Sequence, residues 1–240
     1  MVRTTDVTAL VTGANRGIGR AIVEALLARG AHKVYATARR LETLTGLAAD
    51  PRVVPLRLDL LDAGEVAAAA ATAGDVTMLV NNGGSLAFAD LLGGDLAAIR
   101  SDLDTNYFGT LAITRAFVPV LRRNDGGAIV NLLSLVALGA VRGMGGYSVS
   151  KAAAASMTQA VRAQVADLGI TVHGVFPGAV DTDMIRAFDM PKTSPEEVAA
   201  AILDGVEAGE EDIFPDALSR AGRQTWRDDP KALERQMASI

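Results

Sequence analysis

The sequence contains no cysteine, only two histidines and few aromatic residues. Without cysteine the chain can form no disulfide, thiolate metal site or cysteine nucleophile, and a reducing compartment suits it. His32 and His173 have no acidic cluster near them at ligand spacing, so we expect no metal. No apolar run approaches the roughly 20 residues of a membrane span, and the polar start does not resemble a secretory signal. We therefore expect a cytoplasmic protein that has no membrane partner.

The charge balance is slightly acidic, with 23 lysine and arginine residues against 28 aspartate and glutamate residues. A net charge of -5 disfavours nucleic acid as a partner, because such binding depends on neutralising phosphates. Half of the 240 residues are hydrophobic, which is enough for one sizeable core. We expect one domain over residues 1–240, with a polar C-terminal tail from about residue 219 that holds a short helix at 231–237.

Short apolar segments alternate with helical ones along the chain. Strands are predicted at 7–12, 33–37, 53–58, 78–81, 128–133, 171–176 and 212–214. Helices are predicted at 20–29, 63–72, 96–122 (with a break), 148–168 and 195–207. This alternation predicts a parallel sheet that is covered by helices on both faces.

A glycine-rich turn, Gly13-Ala14-Asn15-Arg16-Gly17-Ile18-Gly19, joins the first predicted strand to the first helix. Glycines at such a turn let the backbone approach a pyrophosphate, which rests on the helix N-terminus. Arg39 follows the second strand, where an acidic residue would bind the ribose hydroxyls and an arginine accommodates a 2′-phosphate. With Arg16 in the loop, the sequence predicts that NADP is preferred over NAD.

Tyr147 and Lys151 lie one helical turn apart at the start of an alanine-rich helix. A nearby positive charge favours phenolate and lowers the pKa of a tyrosine, which makes the phenol a proton donor or acceptor near neutral pH. Ser134 ends the fifth strand, thirteen positions before Tyr147. It does not lie in a Gly-x-Ser-x-Gly elbow, so a hydrolase is disfavoured.

The glycine turn from Thr12 to Gly19, together with later motifs, resembles the short-chain dehydrogenase/reductase family. The later motifs are Asn81-Asn82-Gly83-Gly84, Asn106, Ser134, Tyr147, Lys151 and Pro177-Gly178. The resemblance runs in register from about residue 7 to residue 214. It implies a Rossmann-type doubly wound parallel sheet in a single domain.

The resemblance also implies catalytic roles for four residues. Tyr147 would protonate the carbonyl oxygen during reduction and act as the base in the reverse direction. Ser134 would hydrogen-bond that oxygen, and Lys151 would hold the nicotinamide ribose and lower the pKa of Tyr147. Asn106 would anchor the water of a proton relay.

Most of the implied cofactor contacts lie at the carboxyl ends of strands. Asp59 would contact the adenine, Asn81 the adenosine side and Thr182 the carboxamide. The full set is Gly13, Asn15, Arg16, Gly17, Ile18, Gly19, Arg39, Asp59, Leu60, Asn81, Gly83, Tyr147, Lys151, Pro177, Gly178, Val180 and Thr182.

Two departures from the family pattern stand out. Gly83 replaces the alanine of the Asn-Asn-Ala-Gly stretch, which removes one methyl group from that loop. Only a dozen residues separate Thr182 from Pro195, so we expect an open mouth and weak selection of substrate shape. We expect Asp102 and Asp104 to cap or solvate a helix.

The favoured function is an NADPH-dependent carbonyl reductase or alcohol dehydrogenase that acts on hydrophobic small molecules. A 3-oxoacyl-[carrier protein] reductase is the alternative, and a non-catalytic dinucleotide-binding protein is disfavoured because Tyr147 and Lys151 are both present. The spacing of the glycine loop speaks against the extended dehydratases and epimerases. The apolar helices at 96–121 and 148–168 predict a homodimer or homotetramer.

Overall fold

The computed structural model describes residues 3–240, which form seven strands and eight α-helices. The strands are β1 (Thr8–Val11), β2 (Lys33–Ala38), β3 (Val53–Arg57), β4 (Met78–Asn81), β5 (Gly127–Leu132), β6 (Ile170–Val175) and β7 (Asp212–Ile213). The helices are α1 (Gly17–Ala28), α2 (Ala63–Thr72), α3 (Leu96–Leu103), α4 (Thr110–Arg123), α5 (Gly145–Gln164), α6 (Pro195–Ala208), α7 (Ala217–Asp228) and α8 (Pro230–Ala238). None of the helices in this described part is long and apolar enough to cross a bilayer.

The strands form one sheet in the order β3-β2-β1-β4-β5-β6-β7, and every neighbouring pair is parallel. Every residue of β1 and β4 is buried, because helices cover both faces of the sheet. The strand order reverses between β1 and β4, and ligands of such sheets bind outside the strand ends at this point. The prediction of a Rossmann-type doubly wound parallel sheet is confirmed.

Two apolar cores lie on the two faces of the sheet. One contains Ile22 from α1 and Ile202 from α6, and the other contains Ile113 and Phe117 from α4 with Met157 from α5. The first four of these side chains are fully buried, and each contributes about 1.5–3 kcal/mol relative to an exposed position. The two cores pack the helices against both faces of the sheet and so fix the positions of the strand ends.

The long helix predicted at 96–122 is interrupted by a π-helical turn at Asp104–Gly109. This turn contains Asn106, and π-helical turns inside α-helices often occur at functional sites. α5 begins at Gly145, three residues before the predicted start, so Tyr147 lies in its first turn.

The tail forms two helices, of which only the second is predicted from the sequence. α7 starts with a capping box in which Asp216 accepts from the Ser219 amide at 2.8 Å. α8 starts with Asp229 as its N-cap and Pro230 in its first turn. The polar composition of α7 does not suggest a helix, but the capping residues Asp216 and Ser219 are present in the sequence.

Candidate active site

A cavity of about 810 Å³ opens at the carboxyl ends of the strands, beside the reversal of the strand order. Sixteen of the predicted site residues line it: Gly13, Asn15, Arg16, Gly17, Ile18, Arg39, Asp59, Leu60, Gly83, Ser134, Tyr147, Lys151, Pro177, Gly178, Val180 and Thr182. Gly19, Asn81 and Asn106 do not line it. The fold therefore brings most of the predicted residues, from the ends of six strands and from α5, to one place.

The glycine turn is held against the end of β4 by close backbone packing. A Cβ at Gly13 would lie 3.0 Å from the Gly83 Cα, and one at Gly19 would lie 2.4 Å from the Gly13 carbonyl oxygen. Asn82 locks the turn by donating to the carbonyls of Thr12, at 2.9 Å, and Gly13, at 3.1 Å. The sequence predicts no role for Asn82, although it lies within the Asn81-Asn82-Gly83-Gly84 motif.

The N-terminus of α1 faces this cavity without a side-chain cap. Arg16 occupies the N-cap position, and its side chain makes no capping hydrogen bond. The first amide groups of a helix need a partner, and together with the helix dipole they favour an anion. The turn and the helix start thus form a site that suits a pyrophosphate.

Arg16 and Arg39 lie at the rim of the cavity, and both are exposed. Arg16 Nη1 lies 3.2 Å from Asp183 Oδ2, an ion pair that water screens because both side chains are largely exposed. Arg39 directly follows β2, as the sequence predicts for a residue beside the adenosine ribose. Neighbouring Arg40 also lines the cavity and lies 3.7 Å from Glu42.

The side chain of Asn81 points into the core and does not line the cavity, so its role as a cofactor contact stays a prediction. Its Nδ2 donates to Thr114 Oγ1 at 3.1 Å and to Asn131 Oδ1 at 2.8 Å. Asn131 in turn donates to Thr158 Oγ1 at 2.9 Å. Asn81 thus joins β4 to β5 and α4, and its side chain is only 4% exposed.

Ser134, Tyr147 and Lys151 converge on the cavity from β5 and α5. Ser134 follows the end of β5, and its hydroxyl accepts from the Val136 amide at 3.4 Å. Lys151 lies one turn after Tyr147, with its Nζ 5.6 Å from the centroid of the tyrosine ring. The Lys151 Nζ donates to the Leu132 carbonyl at 2.7 Å, which fixes the ammonium at the end of β5.

The pKa values differ from the predicted pattern. Burial raises the pKa of Tyr147 to about 12, the Ser134 hydroxyl lowers it in part, and the charge of Asp102 raises it further. Burial lowers the pKa of Lys151 to about 8, whereas the charge of Asp102 raises it. The predicted lowering of the Tyr147 pKa by Lys151 is therefore wrong for the protein alone, because desolvation of the phenolate dominates.

Asn106 is buried behind the cavity and is fully engaged as a donor. Its Nδ2 donates to the Ser85 carbonyl and to Ser150 Oγ, both at 2.9 Å, and its Oδ1 accepts from the Ser85 amide at 2.9 Å. An amide group has two donors and an oxygen with two lone pairs, so only Oδ1 keeps capacity for another partner. A relay water at Asn106 would have to donate to that oxygen.

The tail helices form an apolar wall of the cavity, which is not predicted from the sequence. The wall residues that line the cavity are Leu218, Ala221 and Gly222 from α7 and Leu233 and Met237 from α8. A Cβ at Gly139 would lie 2.9 Å from Met237 Cγ, so α8 packs directly on the segment after β5. The short segment after Thr182 predicts an open mouth, but the tail closes part of it. The apolar pair Leu233 and Met237, spaced i and i+4, is the signal that could have indicated this contact.

The fold and the site define a dinucleotide-binding oxidoreductase with a serine, a tyrosine and a lysine beside the cofactor cleft. The family model described as short chain dehydrogenase matches residues 7–192. The chain therefore belongs to the short-chain dehydrogenase family, and the resemblance seen in the sequence is confirmed.

Several relatives support this assignment. A crystal structure of a short chain dehydrogenase from Burkholderia cenocepacia, in complex with NADP, is 41% identical, with a TM-score of 0.94 over 98% of each chain. A short-chain dehydrogenase from Streptomyces avermitilis is 28% identical, with a TM-score of 0.86 over 95% of each chain. An oxidoreductase of Staphylococcus aureus, described as uncharacterized, is 31% identical over 83% of this chain and 90% of its own.

Proposed function

We propose that this protein is an NADPH-dependent carbonyl reductase that converts hydrophobic ketones to secondary alcohols and catalyses the reverse reaction. The observation that carries the proposal is the convergence of Ser134, Tyr147 and Lys151 on a cavity that also holds the glycine turn. One end of this cavity suits a dinucleotide, and the other end places a protonated phenol beside a serine hydroxyl.

The residues at the dinucleotide end fit NADP. Glycines at positions 13 and 19 let the turn pack closely against itself and the segment after β4, and the uncapped start of α1 attracts a phosphate. Arg16 and Arg39 lie at the rim, where the 2′-phosphate would bind, and no acidic residue directly follows β2. The relative from Burkholderia cenocepacia was crystallised with NADP, which supports this choice.

The nicotinamide cofactor, when bound, supplies the hydride. Tyr147 keeps its proton at neutral pH because burial raises its pKa to about 12, so it can donate that proton to the carbonyl oxygen. Ser134 donates a hydrogen bond to the same oxygen and stabilises the charge that develops there. Lys151, fixed at the Leu132 carbonyl, binds the ribose hydroxyls and so orients the reacting ring.

The substrate end of the cavity is apolar. Leu135, Val141, Met144, Leu233 and Met237 line it and pack together in one apolar cluster. A substrate with a fixed anion would lose its hydration there, and none of these five apolar side chains can replace it. An apolar ketone gains roughly 25 cal/mol for each Å² that it buries.

A panel of ketones and carrier-bound 3-oxoacyl compounds, followed by NADPH absorbance, tests the proposal. We expect turnover of aryl and alkyl ketones, and a loss of about 10²–10⁴-fold in turnover for Tyr147→Phe, which removes only the proton donor. Inert ketones beside efficient turnover of a carrier-bound or charged compound would refute the substrate class. A Tyr147→Phe variant within about tenfold of the parent would refute the mechanism.

A further inference from the structure

Asp102 is a buried carboxylate beside the catalytic side chains, and the mechanism above leaves it without a role. The sequence predicts that it caps or solvates a helix, but its side chain is 0% exposed. It lies in the last turn of α3, just before the π-helical turn that carries Asn106. A buried charge is costly unless other groups stabilise it, so the contacts of Asp102 indicate what it does.

The carboxylate holds the segment that follows β4. Its Oδ1 accepts from Ser85 Oγ at 2.8 Å, and its Oδ2 accepts from the Ala87 amide at 3.1 Å. Phe88 comes next, with a φ of +50°, a left-handed conformation that bulky side chains rarely adopt. Asn106 binds both the amide and the carbonyl of Ser85, so the side chains of Asp102 and Asn106 both hydrogen-bond to the same segment.

The contacts continue from this segment to the catalytic tyrosine. Asn106 Nδ2 donates to Ser150 Oγ at 2.9 Å, and Ser150 Oγ donates to the Tyr147 carbonyl at 2.7 Å. A Cβ at Gly84 would lie 2.8 Å from Asn106 Oδ1 and 3.7 Å from Lys151 Nζ. The network that Asp102 anchors therefore borders the ammonium group of Lys151.

The charge of Asp102 acts on both titrating groups of the site. It raises the pKa of Lys151, against the effect of burial, and it raises the pKa of Tyr147 in the same direction as burial. The other groups that face them are neutral: the Leu132 carbonyl at Lys151 and the Ser134 hydroxyl at Tyr147. Among the described residues, Asp102 is thus the carboxylate whose charge acts on the buried ammonium.

We propose that Asp102 is a positioning residue of the catalytic site, which holds Ser85, and through it Asn106, in place and supplies a buried negative charge that acts on Lys151. The expected effect on turnover rests on the proposed function. The effect on the ionisation of Lys151 does not, because it can be measured on the protein without substrate.

Asp102→Asn removes the charge and can keep the contacts. The Asn Oδ1 can accept from the Ala87 amide while its Nδ2 donates to Ser85 Oγ, whose own proton can turn to the Ser101 carbonyl, 3.5 Å away. Asp104→Asn is the matched control, because Asp104 lies two residues further along the chain and is exposed. Both variants lose one negative charge, so a difference between their Lys151 titrations arises from the buried position of Asp102.

The ionisation of Lys151 is measured by an NMR titration of the protein labelled with ¹³C-lysine. Lys33, Lys192 and Lys231 are the other lysines, and a Lys151→Met variant assigns the resonance. We expect Lys151 to titrate at about pH 8 in the parent and in Asp104→Asn, and at a lower pH in Asp102→Asn. The same titration in all three proteins would overturn the charge role.

Ser85→Ala tests the positioning role, because it removes one contact and keeps the charge. We expect the Lys151 titration to stay in place, while kcat/KM for a ketone that the parent reduces falls between about 10- and 100-fold. A parent-like kcat/KM would overturn positioning through Ser85.

If Asp102→Asn fails to fold by circular dichroism, Asp102→Glu replaces it. The longer side chain keeps the charge but displaces Ser85, so kcat/KM should fall while Lys151 titrates near the parent value. A parent-like kcat/KM, or a Lys151 titration as low as that expected for a neutral side chain, would contradict the proposal. If the parent reduces no ketone, the proposed function fails, and the lysine titration still decides the role of the charge.

Discussion

Leu233→Ala should release α8 from the active site without unfolding the sheet. Leu233 is 0% exposed and packs with Leu135, Val141 and Met237 in a small cluster separate from the two main cores. α8 has nine residues, and a helix of that length does not persist in water unless its apolar face is docked. Loss of the anchor should therefore unfold α8 locally.

The size of the effect follows from the burial of the anchor. Replacing a fully buried leucine by alanine costs about 2–5 kcal/mol, because it removes apolar contacts and leaves a cavity. At 1.4 kcal/mol for each factor of ten, the undocked population should rise between about 30-fold and several thousand-fold. Since Leu233 and Met237 line the substrate end, KM for hydrophobic ketones should rise while NADPH binding changes little.

Limited trypsin digestion with mass spectrometry measures the undocking, because Lys231 and Arg235 lie within α8. We expect faster cleavage after Arg235 in Leu233→Ala than in the parent. Glu234→Ala is the control, since Glu234 is exposed on the same helix and its loss should change stability by no more than about 0.5 kcal/mol. Equal cleavage and equal KM in Leu233→Ala and the parent would refute the assignment of α8 as the substrate wall.

Three further predictions concern the cofactor and the assembly. Arg39→Asp should erase or invert the preference for NADPH, measured as the ratio of kcat/KM values, and better use of NADH by the parent would contradict the assignment. NADPH affinity should fall as pH rises through about 8, because Lys151 then loses its proton, and fluorescence titrations of Lys151→Met should show no such step. Light scattering should give a multiple of 24.9 kDa, since Phe108 and Val149 are exposed on the helices expected to pair; a monomer mass at micromolar concentration would reject this.

The strands and most helices follow from local pattern. β4 at Met78–Asn81 and α2 at Ala63–Thr72 have the predicted bounds, because each is a clear apolar or alanine-rich run with recognisable ends. The break in the helix at 96–122 is also predicted, although its π-helical form is not. α7 is missed because its composition is mostly polar, although Leu218, Ala221 and Gly222 recur at helical spacing after the cap formed by Asp216 and Ser219.

The sequence likewise predicts only those features of the candidate site that depend on short motifs. The spacing of Tyr147 and Lys151 and the glycine turn depend on neighbours in the chain, so the sequence by itself places them on one helix face and in one turn. The direction of the Asn81 side chain depends on Thr114 and Asn131, which lie far away in the chain. No local pattern contains that information.

The sequence by itself determined the fold class, the glycine turn and the motif that contains Ser134, Tyr147 and Lys151. These features follow from short-range hydrophobic periodicity and from the spacing of residues along the chain. Only the tertiary structure decided that Asp102 is buried, that α8 lines the cavity and that the pKa of Tyr147 is raised. These three features depend on which residues, distant in the chain, pack around the side chain and exclude water from it. Desolvation and side-chain packing are properties of the assembled fold, and neighbours in the chain do not specify them.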